Sequence, residues 1–99
     1  MAEPFEPLLI WDLEDDLDGN YVHIVVEHDI TPDEVRDVVS DSHNKTVPSD
    51  SSGRPATFGW TRTGRHIIVI WEQVEDEPWT IKPVTAYEVP PPRRKKRRR

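Results

Sequence analysis

Two histidines and a glutamate lie close together in the sequence, at His23, Glu27 and His28. If the segment is helical, His23 and Glu27 are neighbours on one face, because residues four positions apart adjoin on a helix. Neither the spacing nor a third ligand matches a zinc motif, so a pair of surface histidines is the simpler interpretation. We therefore expect no metal ion or other cofactor. His28 remains a candidate for proton transfer, since imidazole changes its charge near neutral pH.

An acidic segment shortly before these histidines partly matches a calcium-binding loop. Glu14, Asp16, Asp18 and Gly19 correspond to positions 1, 3, 5 and 6 of such a loop. Position 12 should be a glutamate that binds calcium through both oxygens, but it is Val25 here. The sequence therefore predicts a solvated acidic turn rather than a calcium site.

Basic side chains are the groups that would bind a phosphate backbone. Arg62, Arg65 and Lys82 could form a patch across adjacent strands. A second basic region is the run Arg93, Arg94, Lys95, Lys96, Arg97, Arg98 and Arg99. This run is consistent with binding to nucleic acid, and equally with a solvated segment or with contact to the acidic remainder of the chain.

The charge of the chain is divided unevenly. The 99 residues carry a formal charge of −6, but residues 1–92 contain all 19 acidic residues and only 6 of the 13 basic ones, which gives that part a charge of −13. A part of the chain with this charge repels RNA unless its basic side chains cluster on one face.

The composition excludes several classes of protein. The length allows one small domain, and the lack of cysteine excludes disulfides and thiolate metal sites. No apolar stretch approaches the roughly 18 residues of a membrane helix. The first residues are acidic and include prolines, so they lack the basic start and the apolar run of a signal peptide. We expect a cytoplasmic protein without membrane contact.

The clearest local signal is Thr31-Pro32-Asp33-Glu34, which predicts a capping box and a helix from about Pro32 to about Asp41. The earlier segment 21–28 fits either a strand or a helix by its periodicity. Residues 40–55 are predominantly polar and are expected to form a long loop.

Four segments have the composition of β-strands. A short strand is expected at 8–11, and three more at 56–61, 65–72 and 79–87, of which the second should be central and the third should have an edge or a bulge at Pro83. The predicted fold class is α+β: one or two N-terminal helices packed on a small antiparallel sheet of three to four strands. We expect a single domain over residues 1–89 and a disordered proline-rich and basic tail over residues 90–99.

Large aromatic side chains are expected to supply much of the core, since a domain this small has few other means of burying area. The tryptophans are Trp11, Trp60, Trp71 and Trp79. An exposed tryptophan would instead indicate base stacking or an anchor for a partner. His66, inside the most apolar strand, is expected to be a hydrogen-bonded histidine of the core or the sheet face.

The order and spacing of several short motifs resemble a known family. The motifs are Trp11-Asp12, the segment 27–35, Gly64-Arg65 leading an isoleucine-rich strand into Trp71-Glu72, and Val84-Thr85-Ala86. From about Trp11 to Val89 the chain resembles the BrnT-type toxins of bacterial type II toxin–antitoxin pairs, which are small ribonucleases with a RelE-like fold. The resemblance implies that segment 21–28 is helical, that RNA is the substrate and that a cognate antitoxin is the partner.

The resemblance also implies a site without metal. Arg65, Glu72 and Lys82 stand at the positions expected to bind phosphate and catalyse cleavage, with Tyr87 or His28 assisting. The family's Ser-Ala-Arg signature, however, reads Thr85-Ala86-Tyr87 here, and its basic C-terminal helix is replaced by Glu88-Val89 and prolines. Both differences count against catalysis.

Two functions therefore stay open: an endoribonuclease toxin, and a non-enzymatic relative that binds a protein or nucleic acid. A third, weaker alternative is an acidic domain that its basic tail tethers to nucleic acid. Convergence of the basic residues and Glu72 on one face would favour the enzyme. Arg65 and Glu72 are seven positions apart, so a regular strand would direct them to opposite faces.

Overall fold

A computed structural model describes residues 6–92 and shows an α+β fold with two helices and a five-stranded sheet. In chain order the elements are β1 (Leu8–Leu9), a π-helix (Val22–Glu27), α1 (Pro32–Val39), β2 (Lys45–Pro48), β3 (Pro55–Trp60), β4 (His66–Glu75) and β5 (Thr80–Glu88). Neither helix is long and apolar enough to cross a membrane. The basic run 93–99 lies outside the described residues.

The sheet is larger than predicted, and it is mixed rather than antiparallel. Its strand order is β1-β5-β4-β3-β2, with β4 in the centre as expected. β1 runs parallel to β5, while all other neighbours are antiparallel. The fifth strand, β2, lies inside the segment 40–55 that was expected to be a loop. Its polar residues show no strand pattern because β2 is an edge strand defined by its pairing with β3, where the Thr46 and Thr57 hydroxyl oxygens lie 2.7 Å apart.

The helix predicted from the capping box is present, and segment 21–28, which the residues left open between strand and helix, is helical as the resemblance implies. α1 begins with the complete capping box: the Thr31 hydroxyl accepts the Glu34 backbone N–H, and the Glu34 carboxylate accepts the Thr31 backbone N–H. The helix ends at Val39, two residues before the predicted end. The earlier helix is wound as a π-helix, a rare form that is frequent at functional sites. It ends before Asp29, which has a φ of 59°.

The core lies between the helices and one face of the sheet. It is built from aliphatic side chains: Ile24, Ile30, Val35, Val38, Val39, Ile67, Val69, Ile81 and Ala86. Trp11, Trp71 and Trp79 are only partly buried and pack against this cluster. The prediction of a buried tryptophan is wrong for Trp60, which is 55% exposed because it ends β3 on the side away from the core. His66 is buried as predicted, and its Nδ1 lies 3.4 Å from the Val89 carbonyl oxygen.

β5 contains the irregularity that Pro83 predicts. Ile70 of β4 is opposite Thr85, but the next residue, Trp71, is opposite Pro83, so Val84 is the extra residue of a bulge. This bulge keeps Lys82 and Thr85 on the same face of the sheet although they are three positions apart.

Candidate functional site

The sheet face opposite the core carries most of the polar groups that could do chemistry. We call it the outer face and define it by Ile68, Glu72, Lys82, Thr85 and Tyr87. The strand register sets Ile68 opposite Tyr87 and Glu72 opposite Lys82. These residues alternate with buried core positions on β4 and β5, so they point away from α1.

His23 connects the π-helix to this outer face. Its Nε2 lies 2.8 Å from the Thr85 hydroxyl, and its Nδ1 lies 3.1 Å from a carboxylate oxygen of Glu27. The arrangement fits one tautomer, in which Nδ1–H donates to Glu27 and Nε2 accepts from Thr85. Because the His23 side chain remains 43% exposed, its ring can reach a bound molecule. A carboxylate that orients an imidazole, which in turn faces a hydroxyl, is an arrangement suited to general-base chemistry.

His28 and Tyr87 extend this cluster along the edge of β5. The rings of His23 and His28 meet edge to face with their centroids 4.7 Å apart. The ring of His28 lies 5.8 Å from that of Tyr87, which is 37% exposed. Two imidazoles and a phenol are therefore neighbours, and each can give or accept a proton.

Glu72 and Lys82 lie beside this cluster, in an open groove of about 490 Å³ that His23 and Glu27 also line. The groove contains two positive side chains, and each has a carboxylate partner. The Lys82 ammonium lies 3.2 Å from Asp12, and the Arg54 guanidinium donates to Glu72 at 3.2 Å. The backbone N–H of Asn20 and the Lys82 ammonium hold the pKa of Asp12 below its ordinary value.

Arg65 points to the other side of the sheet, toward α1. It donates to the carboxylates of Glu34 and Glu88 at 3.2 and 3.3 Å and to the Asp29 carbonyl oxygen at 2.7 Å. Nearby, Arg62 pairs with Asp37 of α1 at 3.4 Å. The arginines are thus on the α1 side and Lys82 is on the outer face, so these three residues do not form the single patch that the sequence suggested.

Glu34, the buried partner of Arg65, is held in its charged form. Burial alone would raise the pKa of its carboxyl group, but hydrogen bonds from Thr63 and Thr31 and the charge of Arg65 outweigh burial and lower the pKa. Only 4% of the Glu34 side chain is exposed, whereas Glu88 is 59% exposed. The Arg65–Glu34 pair therefore joins the turn after β3 to the start of α1.

The five residues expected at one catalytic site are thus divided. Glu72, Lys82, Tyr87 and His28 lie on the outer face or its edge, and Arg65 lies on the α1 side, as strand parity predicts. The sequence interpretation missed three groups: His23 as a proton-transfer group, Thr85 as its partner and Arg54 as a cation in the groove. The four-residue spacing of His23 and Glu27 was the signal available for the first. Arg54 gave none, because it lies in the segment expected to be a loop.

The charges around these groups are mostly negative. Five of the six arginines and lysines in residues 6–92 are ion-paired, and Lys45 is the exception. In the same range ten carboxylates have no ion pair. Over the described chain, no three histidine or carboxylate side chains are arranged to hold a metal ion. The chain matches no protein-family model, no curated protein and no solved structure.

Proposed function

We propose that this chain is a toxin-like endoribonuclease that cleaves RNA without a metal ion, using the outer face of its sheet. The observation that carries the proposal is the position of His23, which is oriented by Glu27 and faces the Thr85 hydroxyl beside the groove that contains Lys82 and Arg54. The α+β fold with a central antiparallel meander is compatible with the RelE-like fold that the BrnT resemblance implies.

In this proposal His23 is the general base. A ribose 2′-hydroxyl takes the place of the Thr85 hydroxyl at Nε2 and gives its proton to the imidazole, while Glu27 holds the ring and stabilises its positive charge. The 2′-oxygen then forms a bond to the adjacent phosphorus. The bond from phosphorus to the 5′-oxygen breaks, and a 2′,3′-cyclic phosphate and a free 5′-hydroxyl are the products.

The remaining groups supply the second proton and bind the phosphate. His28 or Tyr87 protonates the leaving 5′-oxygen, since both rings adjoin His23. Lys82 and Arg54 bind the phosphate oxygens by displacing Asp12 and Glu72, their present partners. Arg65 is a positioning residue in this account, because its guanidinium is directed toward α1.

Cleavage of a labelled RNA in buffer containing EDTA tests the proposal. The expected result is a product that ends in a cyclic phosphate, with a loss of about 10²- to 10⁴-fold in rate for His23→Gln. His43→Gln is the matched control, because the His43 side chain is 95% exposed and pairs with Asp41, which has no role in the proposed site. Absence of cleavage over a range of RNA sequences by a chain with a native circular dichroism spectrum would reject the nuclease.

A second candidate is a non-enzymatic module that binds a partner through the acidic surface of residues 6–92. The pairing of almost every positive side chain in these residues favours it. With almost every described cation already paired, the body is better suited to a positively charged protein than to RNA. Expression of the chain alone in a bacterial host separates the candidates. Growth arrest that His23→Gln abolishes supports the nuclease, whereas normal growth at verified expression supports the binding module.

A further inference from the structure

A groove where β2 and β3 adjoin the end of β5 differs in charge from the rest of the chain. It has a volume of about 420 Å³, and we call it the Trp60 groove; its lining includes Lys45, Phe58, Trp60, His66, Pro90 and Pro92. We propose that the Trp60 groove binds one nucleotide of a single-stranded RNA, with the base stacked on Trp60 and a phosphate beside Lys45. Because this nucleotide belongs to the RNA that the outer face cleaves, its binding here rests on the proposed function.

Trp60 offers an open aromatic surface. It is 55% exposed, although tryptophan is highly buried on average. The strand register sets Trp60 opposite His66, and the two ring centroids lie 5.1 Å apart with their planes at 57°. His66 is only 7% exposed, so a buried ring holds the indole from one side while more than half of the tryptophan stays open. An indole held in this way is a surface on which a flat base stacks.

The charge of the groove selects an anionic ligand. Residues 6–92 contain 18 of the 19 acidic residues, but none of the described residues that line the groove is acidic. Lys45 is exposed in the groove and has no ion pair in residues 6–92. His43 also lines the groove, and its carboxylate partner is Asp41, which lies outside it. An unpaired ammonium group binds phosphate as a point charge, whereas a cationic ligand would be repelled.

The aromatic rings and the ammonium group together indicate the class of ligand. Lys45 is opposite Phe58 in the sheet, and Trp60 lies two residues further along the same face of β3. A positive charge and two aromatic rings therefore adjoin on neighbouring strands about 4.8 Å apart. Proteins that bind single-stranded nucleic acid combine the same elements, with positive side chains along the backbone and aromatic rings against the bases. A nucleotide satisfies both parts of the groove, whereas an apolar ligand would leave Lys45 without a partner.

The outer face connects the Trp60 groove to the proposed cleavage site. Phe58, Ile68 and Tyr87 are opposite one another on β3, β4 and β5, so they form one row across the sheet. The spacing of the strands puts the backbone of Phe58 about 10 Å from that of Tyr87, which belongs to the cleavage site. Phe58 and Tyr87 also line a common groove of about 250 Å³. An RNA strand bound at the cleavage site can therefore continue along this row to Trp60.

Binding of an uncleavable RNA to the full chain tests the site. The probe is a fluorescein-labelled hexamer of 2′-O-methyl uridine, which lacks the free 2′-hydroxyl that the proposed cleavage requires. An abasic hexamer with the same backbone reports binding to phosphate alone, including any contribution of the basic run 93–99. In fluorescence anisotropy we expect the native chain to bind the uridine hexamer about 5- to 150-fold more tightly than the abasic one, which is the effect of one stacked base.

Substitutions in the groove separate stacking from charge. Trp60→Leu should remove most of the preference for the uridine hexamer, whereas Trp60→Phe, which keeps an aromatic ring, should retain most of it. Lys45→Gln should weaken the binding of both hexamers and lower the slope of log Kd against log salt by about 0.7, the value for one phosphate of a single strand. Val74→Ala is the matched control, because Val74 is 51% exposed and does not line the groove.

Cleavage of labelled RNA in EDTA is measured separately, so the groove and the nuclease can fail independently. Equal affinity for the two hexamers, or a preference that Trp60→Leu leaves unchanged, would overturn the RNA site even if the native chain cleaves RNA. The groove would then suit an acidic segment of a protein partner. Loss of the preference in Trp60→Leu supports the site even without detectable cleavage. If the chain cleaves RNA, Trp60→Leu should raise KM about tenfold and leave kcat nearly unchanged, because stacking binds substrate and transition state equally.

Discussion

The Nε2 atom of His23 lies 2.8 Å from the hydroxyl oxygen of Thr85, a residue 62 positions further along the chain. The π-helix and β5 are brought together by the core, in which Ile24 of the helix packs with Ile81 and Ala86 of the strand. The contact therefore depends on the complete fold. It defines the place where a substrate hydroxyl would meet the imidazole in the proposed reaction.

Removing the Thr85 hydroxyl separates two possible roles of that group. In the proposed mechanism Thr85 only occupies the position of the substrate, so Thr85→Val should retain RNA cleavage, with kcat/KM changed by less than about tenfold, a smaller effect than loss of an acid–base group. Glu27→Gln should lower kcat more strongly, because the imidazolium loses its stabilising charge. Single-turnover cleavage of a labelled RNA measures both. Complete loss of cleavage in Thr85→Val would make the hydroxyl itself a reacting group.

The ion pair between Arg54 and Glu72 should weaken RNA binding. Glu72→Gln frees the guanidinium, so the affinity for a short RNA should rise, and log Kd should become more steeply dependent on log salt by about one phosphate contact. Glu75→Gln is the control, since Glu75 is exposed at the end of β4 and has no ion pair in residues 6–92. Fluorescence anisotropy over a series of salt concentrations gives the slope. An equal increase for both variants would mean that only net charge matters.

The sequence predicted those parts of the fold that rest on local rules. The capping box at Thr31 and Glu34 fixed the start of α1, and the apolar run of β4 identified the central strand. β2 was missed because its polar sequence has no strand pattern, and only its pairing with β3 defines it as a strand. The parallel direction of β1 is set by its pairing with β5, which lies far along the chain. The candidate site was harder to predict, because the neighbours of His23 come from distant segments. The alternation of side chains along a strand correctly placed Arg65 and Glu72 on opposite faces of the sheet. This alternation could not predict that the extra residue of the bulge is Val84.

Glu34 should make the fold sensitive to acid. The folded chain lowers the pKa of Glu34, so the stability that this carboxylate contributes is present above its ordinary pKa and is lost as the pH falls through the lowered pKa. Glu34→Gln should therefore unfold more easily at pH 7, by about 2 kcal/mol for hydrogen bonds to a charged group. Urea unfolding measures the difference, which should shrink toward pH 3. Glu14→Gln, an exposed control, should match the native chain within about 0.5 kcal/mol.

Asn20 holds the acidic loop, β1 and β5 together. Its side-chain amide donates to the carbonyl oxygens of Ile10 and Pro83 at 3.0 and 2.7 Å, and its carbonyl oxygen accepts the backbone N–H of Asp12 at 2.8 Å. Asn20 is only 6% exposed, so Asn20→Ala leaves these groups without partners.

We expect Asn20→Ala to lower the free energy of unfolding by about 2 kcal/mol, since unpaired buried polar groups cost about 1–3 kcal/mol. The same variant should alter the groove, because the backbone N–H of Asp12, whose carboxylate pairs with Lys82, would lose the Asn20 side-chain oxygen that accepts it. Hydrogen exchange should then be faster in β1 and at the amides of Lys82 and Val84 than in β3. Ser51→Ala, an exposed substitution, serves as the control. If exchange in Asn20→Ala rose uniformly along the chain, Asn20 would support global stability without a specific role in holding the groove.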